Sequence, residues 1–128
     1  MRLRRRFVGL LCLLACGCGG KSTDQLLEDL KSPSEKDRLI AVRLLPQHKG
    51  DAAQVVPALM AALNDKEGDI RCSAAIGLGY FGEEAREAIP ALQAARRDRD
   101  ARVREAAGVA LSRIDPEHFP AAARGATR

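Results

Sequence analysis

The sequence predicts an all-α fold, a short α-solenoid of about three stacked helical hairpins, and three observations lead there. The first is composition: 46% of the 128 residues are apolar, yet only 3% are aromatic and there is no Trp. Ala-rich apolar content with few β-branched runs favours closely packed helices over a sheet. The second is an internal repeat of 33 residues, because Pro57-Ala58-Leu59 recurs as Pro90-Ala91-Leu92, Asp65 as Asp98, and Ile70-Arg71 as Val103-Arg104. Ala74 likewise recurs as Ala107 and Leu78 as Leu111, while one period earlier Leu26, Leu30, Arg38, Ala41 and Leu45 hold the corresponding places. The third is helical spacing inside each period. Ile70, Ala74, Gly77, Leu78 and Phe81 fall on one stripe, as do Val103, Ala107, Ala110, Leu111 and Ile114.

The repeat divides the chain into units 24–56, 57–89 and 90–116, each read as two helices. The first unit is degenerate, with Asp24, Ser32 and Asp37 where the second has Pro57, Asp65 and Ile70. Helices are expected near 23–31, 34–46, 52–63, 67–80, 84–97 and 100–114. Ser32-Pro33-Ser34-Glu35 reads as a capping box with Pro at the first helical position, which opens the second helix. Gly50 and Gly82 follow helix ends, and Pro116 closes the last helix. Gly77 sits inside a helical stripe, where it costs about 1 kcal/mol against Ala unless a neighbour must come close. Three units is about the minimum for a stable solenoid, and atypical terminal units are expected of one.

The formal net charge of +4 invites an acidic partner until the charges are located. Arg2, Arg4, Arg5 and Arg6 account for the whole excess, and the rest of the chain carries 17 basic against 17 acidic residues. A polybasic nucleic-acid binder is therefore excluded. The four arginines precede an apolar run from Phe7 to Ala15, too short to span a bilayer, which takes roughly 20 helical residues. That layout is a secretory signal peptide over residues 1–15.

The segment Leu13-Leu14-Ala15-Cys16 resembles the lipobox of bacterial lipoproteins, although Leu14 stands where a smaller or β-branched residue is more usual. The resemblance implies cleavage after Ala15 and diacylglycerol on the Cys16 thiol. Cys18 is a rival site, but Ala15 would then hold a position that prefers Leu. The alternative is an ordinary signal peptide with an incidental Cys. Several acyl chains meet the two-signal requirement for stable anchoring, at about 0.8 kcal/mol per buried methylene. Gly17 in place of Asp after the anchor favours, by the same resemblance, the outer membrane. Residues 16–23 form a tether of Gly and Ser character with a reach of roughly 25 Å. Of the four cysteines, Cys12 leaves with the leader and Cys16 carries lipid. Cys18 and Cys72 could bridge in an oxidising compartment, but one lies in the tether and the other inside a helix, so Cys72 is read as a free buried thiol.

The second and third units resemble HEAT repeats of the short, PBS-lyase-like kind. Each carries a Pro in its first helix, an Asp eight residues on and an Arg six after that: Pro57, Asp65 and Arg71, then Pro90, Asp98 and Arg104. The resemblance implies a right-handed stack in which Asp65, Arg71, Asp98 and Arg104 form a structural ladder between units. Arg presents a planar fork that fits a carboxylate, and Asp ahead of a helix can also cap it. Ser32 in place of Asp predicts a looser or capping first unit.

Candidates for chemistry are few. His48 and His118 are not spaced as metal ligands, so no metal and no cofactor is expected. Glu117-His118 reverses the His–Glu order of the HEAT-repeat hydroxylases and lies outside the repeats, in a tail, 117–128, expected to be frayed. With one Tyr and no Trp, nothing marks the tetrapyrrole pocket of the bilin lyases, the other relatives that share the repeat. Gly77, Gly79 and Gly82 lack the strand and the Lys-Ser or Lys-Thr of a phosphate loop. The cluster Arg96, Arg97, Arg99 and Arg102 is the remaining candidate for partner binding, interleaved with Asp98, Asp100 and Glu105. The expectation is a non-enzymatic, lipid-anchored scaffold on the periplasmic side of a bacterial envelope, binding a protein and neither nucleic acid nor a small substrate. The alternative is a relative of a bilin lyase or hydroxylase, or an accessory subunit of one.

Overall fold

Leu26, Leu59 and Leu92, one period apart, are all fully buried, and so are Ala41, Ala74 and Ala107. The repeat read from the sequence is thus a repeat of burial. In a computed structural model, which describes residues 20–121, these side chains bring six α-helices together. They are α1 (Thr23–Asp29), α2 (Glu35–Leu44), α3 (Ala52–Ala62), α4 (Gly68–Phe81), α5 (Ile89–Ala95) and α6 (Ala101–Ile114). Cys12, Cys16, Cys18 and the leader lie outside the described residues, as does the chain beyond residue 121. The second helices form a row, with α4 between α2 and α6, and α1, α3 and the segment leading into α5 back them. The fold is all-α and HEAT-like. One continuous core runs through it, from Leu26 to Ile114.

Small residues set the spacing of the row. A Cβ on Gly79 would stand 3.1 Å from the Ala110 Cα, so α4 and α6 touch backbone to backbone there. At Gly77 a Cβ would meet Pro46 at 2.9 Å and Leu59 at 3.1 Å, which explains a glycine in the apolar stripe. Gly82, at φ +55°, ends α4 in a conformation that other residues rarely adopt.

Four expectations are corrected. The helix expected at 84–97 is a 3-10 segment, Gly82–Ala88, followed by α5 from Ile89. Pro90 has no N–H for the Arg86 carbonyl and its ring crowds it, and Ala85 departs from helical angles at φ −98°, ψ 20°. In the same way Pro46 ends α2 in a 3-10 turn, Leu45–Gln47. The cap of α2 is Ser34, which accepts from the Asp37 N–H, not Ser32, whose oxygen accepts from the Ser34 N–H and donates to Asp37. The first unit is capped instead by a box the sequence reading passed over, Ser22 with Gln25 on α1. Finally, the chain after α6 does not leave the body at once: the Phe119 N–H bonds the Asp115 carbonyl and its ring packs on the core.

Candidate functional site

Two rungs join the units. Arg38 reaches Asp65 with Nε at 2.8 Å and Nη2 at 3.3 Å, and Arg71 reaches Asp98 at 2.8 and 2.9 Å. Each arginine also turns Nη1 to two carbonyls of its own unit: Ser32 and Pro33 for Arg38, Asp65 and Lys66 for Arg71. Each aspartate also accepts a backbone N–H two residues on, from Glu67 or Asp100, and so shapes the turn into the next helix. The Arg71 fork holds the Asp98 carboxyl below the usual carboxylate range, against the effect of burial. For Asp65, partial burial pushes the other way, and the Arg38 fork and the Glu67 N–H outweigh it.

The direction of these rungs changes the reading of the terminal units. Each arginine pairs with the aspartate of the unit that follows, so Ser32 removes no rung between units one and two. That seam is closed by Arg38, only 7% exposed, which the sequence reading left out of the ladder. At the other end Arg104 makes only the contacts to its own turn, at 2.8 Å to the Asp98 carbonyl and 3.1 Å to that of Arg99. Its place in the repeat is that of Arg71, but no unit follows it among the described residues.

The row of second helices presents a face of its own. Ile76 and Val109, one period apart, are 44% and 43% exposed, and Tyr80 is 55% exposed. They lie off the stripe that faces the core. Two adjoining clefts run along them: one of about 630 Å³ reaching toward Val42, Arg43 and Pro46, and one of about 360 Å³ reaching toward Val109, Ala110 and Arg113. Cys72, Ile76, Tyr80 and Arg102 border both. The guanidinium of Arg113 stands 5.6 Å from the centre of the Tyr80 ring, a cation–π distance. Of these residues, only Arg102 was expected to bind a partner; Cys72 was read as a free buried thiol and Ala110 as part of the core stripe. The signal was there in Ile76 and Val109, apolar residues at equal repeat positions that the buried stripe does not use.

Cys72 is half-buried in this face, not enclosed in the core as expected, with its Sγ 3.7 Å from the Arg102 carbonyl. Burial pushes its thiol above the ordinary value, so it is protonated at neutral pH and poorly suited to nucleophilic attack. The arginine cluster is not one patch. Arg102 is spoken for, with Asp69 at 2.7 Å and Asp100 at 2.8 Å, and these carboxylates hold it firmly charged. Arg99 bonds the Lys66 carbonyl at 3.3 Å, while Arg96 and Arg97 are exposed beyond the end of α5.

The histidines have local tasks. His48 Nδ1 lies 3.0 Å from the Thr23 hydroxyl, which donates to Asp51 and fastens α1 to the turn after α2. Thr23 stands between His48 and Asp51, so the histidine takes no proton from a nucleophile oriented as in a hydrolase triad. His118 is held by Asp115 at the end of α6, and that carboxylate raises its pKa. Among the described residues no three His, Cys, Asp or Glu side chains converge as metal ligands, and no helix is long and apolar enough to cross a membrane. Every buried side-chain nitrogen and oxygen described here has a hydrogen-bond partner.

Paired helices stacked in register, held by an Arg–Asp ladder, define an α-solenoid. HEAT repeats match over residues 23–112, and the chain belongs to the HEAT-repeat family. Among solved structures it is similar to a chain in the complex of CpcE and CpcF of phycocyanin lyase from Nostoc sp. PCC7120. That likeness has a TM-score of 0.69 at 26% identity and covers 84% of this chain and 42% of the other. The chain thus spans less than half the length of that relative. No curated protein matches the sequence.

Proposed function

We propose that this protein is a non-catalytic binding module of the bacterial envelope, tethered by lipid on Cys16 and engaging a protein through the face of α2, α4 and α6. The observation that carries the binding half is the exposed group Ile76, Tyr80 and Val109 over two adjoining clefts. Large apolar side chains grouped on one surface and rimmed by charge mark interaction sites, whereas scattered ones do not. An aromatic ring with a guanidinium beside it is also the composition of interface hot spots. The anchor rests on the lipobox-like Leu13–Cys16, and Gly17 favours the outer membrane. A lipid followed by a short leash raises the effective concentration of membrane-bound partners, so a modest cleft suffices.

Two measurements test the proposal separately. A fatty-acid label on the protein should vanish in Cys16→Ala, and a label unchanged by that substitution removes the anchor. Pull-down from crosslinked envelopes should recover a reproducible protein that Tyr80→Ala loses, and recovery indifferent to Tyr80 removes the binding face.

One observation favours a second reading, a lyase-related subunit: the similar solved chain belongs to a phycocyanin lyase complex. The repeat common to both is scaffold, and fold alone does not carry chemistry. The two readings separate on an absorption spectrum of the purified protein. Bound pigment supports the second, and a colourless protein with a Tyr80-dependent partner supports the first.

A further inference from the structure

We infer that the cleft takes an acidic segment of a partner protein, with apolar anchors seated over Ile76, Tyr80 and Val109 and its carboxylates gathered at one end. The inference rests on the protein-binding reading above and adds the chemistry of the partner.

The charges around the cleft are the argument. Its walls carry Arg43, Lys49, Arg102 and Arg113 against Asp69 and Glu105. Arg102 and Asp69 satisfy each other at 2.7 Å. What remains is three cations against Glu105, a local excess on a body whose basic and acidic residues otherwise balance. Arg43 and Lys49 have no side-chain hydrogen bond or ion pair among the described residues, and Arg113 has only the face of Tyr80.

Two of these cations share an end: Arg113, in the last turn of α6, holds the repeat place of Tyr80, and Lys49 lies past the end of α2. Arg43, in the last turn of the shorter α2, holds the place of Ile76 and Val109, one turn back along the cleft. Placement at helix C-termini complements the helix dipole, which accounts for arginine there, yet leaves the forks open to a carboxylate. Glu105, in the first half of α6, stands toward the opposite end, where Arg102 is already paired with Asp69 and Asp100, and it repels an incoming carboxylate there. The cleft therefore sets an orientation: acidic residues beyond Tyr80, at Arg113 and Lys49, apolar ones over Ile76, Tyr80 and Val109, and neutral ones toward Glu105. A recess between helices with an apolar floor fits a protein segment better than a flat anionic bilayer, which cannot enter it.

The test is selection of phage-displayed random 16-residue peptides on the purified protein, followed by anisotropy titration of the selected peptides. The expected peptides carry Asp or Glu at one end and two or three apolar residues. Tyr80→Ala should weaken them about tenfold or more, as loss of a hot spot does. The pair Arg43→Glu and Arg113→Glu should weaken them similarly and should select basic peptides in their place. All three side chains are exposed, and circular dichroism checks that the variants stay helical. Neutral or basic peptides that still depend on Tyr80 overturn the acidic partner and leave the protein-binding reading standing. A selection yielding no Tyr80-dependent peptide overturns both. A concentration-dependent dimer abolished by Tyr80→Ala overturns the inference in favour of a second copy of this chain.

Discussion

Replacing Arg71 with Ala removes four hydrogen bonds at once: two to the Asp98 carboxylate, at 2.8 and 2.9 Å, and two to the carbonyls of Asp65 and Lys66, at 2.9 and 3.1 Å. The side chains of Arg71 and Asp98 are only 7% and 12% exposed, so the orphaned carboxylate meets little water. It keeps one bond, from the Asp100 N–H. Removing one partner of a buried pair costs about 3 to 5 kcal/mol. The residual bond and the slight exposure of Asp98 place the expected loss near the lower end, about 3 kcal/mol. For a domain of this size that is a fall in Tm on the order of 12 to 20 °C. Urea denaturation followed by circular dichroism measures it. Arg104→Ala is the internal control, because Arg104 is exposed and bonds only its own turn; its expected cost is about 0.5 kcal/mol, that of a surface substitution. Equal losses in the two variants, or a loss below about 1 kcal/mol for Arg71→Ala, would refute the claim that the rungs join units.

Other perturbations test the packing and the charges. Gly108→Ala, where a new Cβ meets nothing within 4 Å, should stabilise α6 by up to about 1 kcal/mol. Gly79→Val should destabilise by about 2 kcal/mol, because its branches drive into the Ala110 backbone; thermal melts of the two variants should move in opposite directions. Acid should weaken the ladder. Asp65 and Asp98 have folded pKa values below the unfolded value of about 3.9, so their contribution is complete above about pH 5 and is lost as pH falls through the folded values. Denaturation midpoints between pH 6 and pH 3 should therefore fall less steeply in Asp98→Asn than in the wild type, and parallel curves would count against the assignment.

What the sequence made legible was whatever repeats and faces inward. Leu59 and Leu92, like Ala74 and Ala107, announce themselves because a shift of 33 residues superposes them, and all four are fully buried. What it hid was direction. Comparing units shows that Arg and Asp recur, but not whether Arg71 meets Asp65 of its own unit or Asp98 of the next. The structure supplies that choice, and with it the role of Arg38 and the open end at Arg104. Local chemistry was also hard to weigh: both Ser32 and Ser34 could cap α2, and only the backbone decides between them. The clefts were least legible. Ile76, Tyr80 and Val109 look like ordinary helical apolar residues, and their exposure depends on how α4 sits between its neighbours.

The central claim is that the face of α2, α4 and α6 meets a protein in the cell. Photocrosslinking from single sites reads this directly, with a photoreactive residue placed in turn at Ile76, Tyr80 and Val109, and at the exposed Gln54 and Gln93 on α3 and α5. Binding through this face predicts one recurrent adduct from the three cleft positions and none from the two glutamines. Adducts from Gln54 and Gln93 alone, or none from any cleft position, would contradict it.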